Sequence, residues 1–276
     1  MPRRSSPAGL IISPRDWRFG RDVPLARWWR NGDPYTTAVL NALSLSFPKG
    51  EAFFVESVRR FRNGVPAALE HEVSAFVRQE VAHSREHLAF NRQVVAHGYD
   101  VSALDARVDE RLAFIASKRP IASLAATMAL EHFTAILAHA LLADPRLLEG
   151  ADPEAAALWR WHAIEEIEHK AVAYDVWMHA TRNWPRALRW FVKARVMLRV
   201  TRNFLIDRTD GALELLRQDG ITGPRAWVGM LRVAFADPGL ARRVVWPWLL
   251  YFVPGFHPWN HDDRALIARA EAAIAT

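Results

Sequence analysis

The chain has 276 residues, 51% hydrophobic and 24% charged, which is enough to bury a sizeable core in one or two domains. It has no cysteine, which excludes disulfides, zinc–thiolate sites, iron–sulfur clusters and thiol nucleophiles. The formal net charge of +6 comes largely from arginines late in the chain with no nucleic-acid motif beside them, so no nucleic-acid partner is expected.

Apolar spacings of three and four recur throughout and period-two alternation is nearly absent, so the chain reads as all-α. Residues 1–46 read as an N-terminal arm. Arg3 and Arg4 precede a short apolar piece over 8–12, which Pro14, Arg15 and Asp16 interrupt before it could serve as an export signal. A first helix is expected over 48–62, opened by Pro48 and closed by Asn63-Gly64. A second is expected over 66–97, stopping at Gly98. Its seam of Val73, Phe76, Glu80, His83, His87, Phe90 and Val94 steps 3-4-3-4-3-4 and keeps one stripe toward a neighbouring helix.

A linker and a further helical piece end near Arg119-Pro120. The next helix, over 121–143, carries Glu131 as its only formal charge, and by length and apolarity alone it could span a membrane. A buried lone carboxylate is costly, so Glu131 needs a partner; a metal cation is the most economical one, and a bundle-core helix explains the segment better than a span. A helix over 152–182 has clear start signals in Asp152, Pro153 and Glu154.

The segment 185–206 is expected to be helical, with Arg186, Arg189, Lys193, Arg195, Arg199 and Arg202 among Trp190, Phe191, Met197 and Phe204. It reads either as a membrane-surface helix or as a solvated cationic face over a core stripe. The tryptophan-rich stretch 243–259 reads as lid, membrane contact or plain packing, and Pro247 and Pro254 argue against an unbroken spanning helix. The expected organisation is therefore an arm (1–46), a catalytic bundle (47–183) and a helical C-terminal extension (184–276).

Two strings repeat a pattern: Gln79-Glu80-x-x-His83 and Glu165-Glu166-x-x-His169. Each puts a carboxylate and an imidazole on one helical face, and each follows a lone glutamate in an apolar helix, Glu51 and Glu131. Four glutamates supply the negative charge that two neighbouring divalent cations require. With one imidazole per metal, the shell suits iron or manganese better than zinc or copper. His162 lies four residues before Glu166 on the same face, as an additional ligand or a hydrogen bonder; its counterpart in the first half is Phe76. His87, one turn from His83, lines a channel or hydrogen-bonds near the site. His139 falls on the flank of the ligand face, and His132 points away from it. Glu56, Glu70, Glu72, Glu86 and Glu168 read as a solvated face because basic residues accompany several of them.

Residues 47–54 (FPKGEAFF), 161–172 (WHAIEEIEHKAV) and 254–259 (PGFHPW) resemble bacterial proteins named predicted metal-dependent hydrolases, and that resemblance extends over most of the chain. The four ligand helices alone resemble the ferritin-like di-iron carboxylate enzymes. The wider resemblance implies a ferritin-like four-helix bundle with additional C-terminal helices. In it Glu80 and Glu166 would bridge two metals, Glu51 and Glu131 would bind one each, and His83 and His169 would take one metal each. Gln79 and Glu165 would orient the histidine of the opposite half, although many relatives have Asp there. The arrangement His162-x3-Glu166-x2-His169 is similar to the arylamine N-oxygenase branch, in which an additional histidine completes one metal's shell.

The resulting expectation is a cytoplasmic di-metal enzyme, iron first, with manganese or a mixed pair as alternatives. It would activate dioxygen, with electrons from an unknown donor, to oxidise a small apolar molecule, with His162, His87 and Glu165 as catalytic candidates. The alternatives are a bimetallic hydrolase using a metal-activated water, and a non-catalytic metal-binding protein. A homodimer and peripheral contact with the inner membrane face complete the expectation.

Overall fold

The computed structural model describes residues 6–7, 9–20, 23–236 and 238–274; Arg3, Arg4 and Ala8 of the N-terminal segment lie outside the described residues. The all-α expectation holds, since no strand occurs among the described residues. The helices are α1 (Pro34–Ser44), α2 (Phe47–Arg59), α3 (Ala67–Ala96), α4 (Ser102–Ala116), α5 (Pro120–Ala143), α6 (Pro153–His169), α7 (Val172–Ala180), α8 (Arg186–Gln218), α9 (Gly223–Phe235), α10 (Leu240–Leu250) and α11 (Arg264–Ile274).

Four of them frame the interior. α2 lies along α3 and α5 along α6, and the two pairs meet through α2–α5 and α3–α6 contacts. α5 is the one described helix long and apolar enough to cross a membrane, yet its apolar window is 78% buried, packed by α2, α6, α7, α8 and α10. α6 starts as its sequence signals require: the Asp152 side chain accepts from the backbone N–H groups of Glu154 and Ala155, and Pro153 opens the first turn.

Three elements differ from the expectation. Inside the arm, α1 is started by Asp33, whose carboxylate caps the N–H groups of Tyr35 and Thr36 ahead of an apolar run. The single helix expected over 152–182 is interrupted after His169, giving α6 and α7. The interruption falls at Lys170, whose buried amine bonds Asp263 at 2.5 Å and the His261 carbonyl at 2.9 Å, tying this point to the C-terminal loop. α8 runs on well past residue 206, through Gly211. A Cβ there would sit 3.3 Å from both Ala42 and Leu104, so this glycine admits close packing instead of ending the helix.

The arm lies against α3 and α6, where its backbone N–H groups meet side-chain carboxylates: Ser13 donates to Glu168, Arg15 to Glu165 and Phe19 to Glu86. This corrects the solvated-face expectation for Glu86 and Glu168, which are both buried. A heptad pattern shows which side of a helix faces another helix, but an extended arm leaves no periodic trace. Glu56 and Glu70 are exposed as expected, and Glu72 is half-buried.

Candidate metal centre

The repeat motifs converge in the middle of the four framing helices. Glu51 comes from α2, Glu80 and His83 from α3, Glu131 from α5, and His162, Glu166 and His169 from α6, and all seven are buried. Their potential ligand atoms form overlapping groups, each within 4.8 Å: Glu80 with Glu131 and His169, Glu80 with His83 and Glu166, and Glu51 with His83 and His162. Glu80 belongs to two groups. Glu166 turns one oxygen each way, Oε1 lying 3.0 Å from His162 Nε2 and 3.6 Å from His83 Nδ1, and Oε2 lying 3.6 Å from His169 Nε2. His169 Nε2 also lies 3.1 Å from Glu80 and 3.4 Å from Glu131.

Hydrogen bonds around the centre fix which imidazole nitrogens carry protons. Asn91 Nδ2 donates to the Ser44 carbonyl, so Asn91 Oδ1 must accept from Ser44 Oγ at 2.6 Å. Ser44 has spent its only proton, so His87 Nδ1 donates to it at 2.8 Å. His87 Nε2 is then an acceptor for His162 Nδ1–H at 2.7 Å, which leaves His162 Nε2 as a bare lone pair facing Glu166. The same reasoning applies at His169. Gln79 Nε2 donates to Glu168 at 2.7 Å, so its Oε1 accepts from His169 Nδ1 at 2.9 Å and Nε2 turns inward. His83 Nε2 lies 3.1 Å from Glu165, turning Nδ1 toward Glu166. His162 and His169 thus turn inward the ring nitrogen that no outer hydrogen bond uses, and His83 places Nδ1 beside Glu166, an arrangement that a cation among these carboxylates makes favourable.

The electrostatics agree. Both oxygens of Glu80 and Glu131, Glu51 Oε1, Glu166 Oε2 and His169 Nε2 are buried without a hydrogen-bond partner. Burial, reinforced by repulsion from the neighbouring glutamates, holds Glu51, Glu80 and Glu131 well above the ordinary carboxylate range. At Glu166 burial acts upward too, but His169 and His162 override it and hold the carboxyl well below that range. Burial lowers His83 and His87 strongly. It also opposes protonation of His169, yet the surrounding carboxylates raise that group to about 9. Without a cation, protons must do the neutralising; two divalent ions fit this donor set, and their charge would take the place of those protons.

A cavity of about 610 Å³ reaches the centre at His162 and Glu166. Its deep walls are apolar, with Leu43, Phe47, Leu137, Ala138 and Trp159, while the outer end carries Arg30, Asp33, Arg146 and Arg232. Phe47 stacks on His162 at 4.8 Å, and His162 stacks on His83 at 4.2 Å. Phe76, the counterpart of His162, instead packs its ring against His169 at 4.9 Å. His87 is not part of the cavity wall and holds His162 from behind. His139 is bonded to Asp263 and His132 lies 3.3 Å from the Pro247 carbonyl, so neither joins the centre.

Several residues that serve the site carry no signal in the pattern. Ser84 donates to Glu51 at 2.8 Å and Trp161 Nε1 to Glu165 at 3.0 Å, the latter from a spacing of four that could have been noticed. Arg15 is the least foreseeable. Its backbone and guanidinium bond Glu165 at 2.9 and 3.3 Å, and its guanidinium bonds Glu168 at 2.8 and 3.1 Å. One arginine from the arm therefore holds both Glu165, which stands 3.1 Å from His83, and Glu168, which bonds the Gln79 amide that accepts from His169. Burial raises Glu165 to about 7, and Arg15 works against that rise.

A family model described as "Predicted metal-dependent hydrolase" matches residues 13–262, and the chain belongs to that family. No curated protein and no solved structure matches it.

Proposed function

We propose that this member of the predicted metal-dependent hydrolase family is a two-metal enzyme of the ferritin-like kind. In this reading Glu80 and Glu166 bridge the ions, Glu51, His83 and His162 complete one shell, and Glu131 and His169 complete the other. The observation that carries it is the set of three imidazoles that each turn a ring nitrogen inward toward four buried glutamates. An oxygen-rich shell with nitrogen donors favours iron, with manganese or a mixed pair as alternatives.

The chemistry we infer is oxidation of a small apolar molecule by dioxygen, with electrons from a separate donor. Bound iron ions would supply redox capacity and open coordination positions. The chain's own residues would hold and shield the reactants. Leu43, Phe47 and Leu137 accommodate an apolar group and exclude water beside His162 and Glu166, while the Asn91–Ser44–His87 chain keeps His162 in one tautomer. Our preference for oxidation rests on where the acid–base groups of the cavity wall lie. Of the acid–base groups lining the cavity, His162 and Glu166 are assigned to the metals, and Asp33, Tyr35 and Glu149 come from the start of α1 and from the turn before α6, not from the four framing helices. Asp33 precedes α1 while Ser44 ends it beside the centre, roughly 16 Å apart at 1.5 Å per residue.

Hydrolysis is the second reading, and the family description supports it. Loading the protein with Fe(II) anaerobically and then admitting air separates the two. Oxidation predicts dioxygen uptake and a change in the iron spectrum. Unchanged spectrum and oxidation state, together with anaerobic ester or amide turnover using redox-inert divalent metals, would instead establish hydrolysis.

A further inference from the structure

We propose that the face formed by α8, α9 and α10 docks on an anionic phospholipid bilayer. Large apolar side chains stand in solvent on all three helices. On α8, Leu188, Phe191, Arg195, Leu198, Arg202 and Leu205 are all exposed and step 3-4-3-4-3, so apolar groups and cations share one outward stripe. On α9, Trp227, Val228, Leu231 and Phe235 form a second exposed stripe, about half of each side chain in solvent, with the exposed Arg225 and Arg232 along its edge. α10 has no fully buried residue, and its Trp246 is 67% exposed.

The three helices are neighbours. α10 packs on α9 and is bonded to α8 by Trp248 Nε1, which donates to Thr201, while Lys193 and Trp190 of α8 donate to the carbonyls of Tyr251 and Phe252 in the turn after α10. Such a surface is costly in water, and patches of this kind mark interaction sites.

Charge selects the occupant. Residues 186–206, 223–235 and 240–250 contain no aspartate or glutamate, and their arginines lie beside or between the apolar groups. Anionic headgroups satisfy the guanidinium groups while the aromatic and aliphatic side chains pass beneath them, and the arginine stems lie along the boundary. A carboxylate-rich protein would meet the charge but leave the interleaved Phe191, Trp227 and Trp246 uncovered.

The cavity adds to the case, because its outer end is bordered by Gly229, Arg232 and Val233 of α9 and by residues 238–240 leading into α10. Gly229 brings α9 down over this opening, since a Cβ there would lie 2.0 Å from the Tyr35 ring. Entry of an apolar substrate from the lipid side rests on the metal-centre reading above; the docking itself does not.

The test is co-sedimentation of the full chain with vesicles of phosphatidylcholine alone and of phosphatidylcholine mixed with phosphatidylglycerol. Docking predicts binding to the mixed vesicles that falls at high salt, and at least about tenfold weaker binding to the neutral ones. The pairs Trp227→Ser/Leu231→Ser and Arg195→Glu/Arg202→Glu, all at exposed positions, should each lose about tenfold or more with unchanged circular dichroism. No binding of the wild-type chain, or wild-type-level binding by either pair, overturns the proposal. So does a dimer in solution that Trp227→Ser/Leu231→Ser dissociates, because a second copy then covers the face. Metal content on the same preparations reports on the centre separately, so failure of one reading is not mistaken for failure of the other.

Discussion

The α2–α3–α5–α6 interior and the α8–α10 exterior depart from the usual burial pattern in opposite directions. Inside, Glu51, Glu80, Glu131 and Glu166 are enclosed with oxygens that no hydrogen bond satisfies; outside, Phe191, Trp227, Leu231 and Trp246 are left in water. Each departure is costly on its own, and each becomes favourable with a partner of the right kind: cations in one case, a lipid surface in the other. The lesson is that a local conflict between residue type and environment identifies the missing partner's chemistry. Lys193 lies between the two regions, a buried cation beneath the exposed stripes, enclosed by the rings of Tyr251 and Phe256.

The largest effect should come from removing the shared ligand. Glu80→Ala takes an oxygen donor from both groups, so metal analysis should find both ions lost, while retention of two would break the assignment of Glu80 as a bridge. Arg15→Ala tests whether the arm orients the imidazoles from outside. Losing such a supporting contact costs about 10–100-fold in metal affinity, measurable by chelator competition, and an unchanged affinity would confine Arg15 to fastening the arm. His87→Phe should weaken binding at the His83–His162 ion while sparing the other, giving two distinguishable metal-release steps; a uniform loss of both would show that the two half-sites are not separately supported.

The smallest effect concerns Lys193. Burial lowers its amine from an ordinary 10.5 to about 8, so between those values the unfolded chain binds more protons than the folded one. Stability should therefore rise with pH across that interval, by on the order of 3 kcal/mol, and denaturant melts of Lys193→Met should lack the rise. An identical slope in the variant would place the penalty elsewhere.

The seven inward residues were legible because helical spacing carries their geometry: Glu80 with His83, and His162 with Glu166 and His169, share faces by arithmetic alone. Glu131 stood out as the lone charge of an apolar helix. What spacing could not show was the outer layer, because it depends on long-range packing. Arg15, Ser44 and Glu168 act through contacts with distant segments, so Glu168 read as solvated when it in fact orients Gln79. The same contact fixes the Gln79 amide so that it accepts from His169. α9 was missed as an exposed stripe because its 13 residues look like an ordinary amphipathic helix until the fold shows that the apolar side faces out.

The central claim is that these carboxylates and imidazoles hold a pair of ions, and anomalous diffraction from crystals of protein loaded anaerobically with Fe(II) tests it most directly. Two peaks should appear between Glu80 and Glu166, one beside Glu51, His83 and His162 and the other beside Glu131 and His169. A single peak, or iron found only elsewhere on the chain, would contradict it.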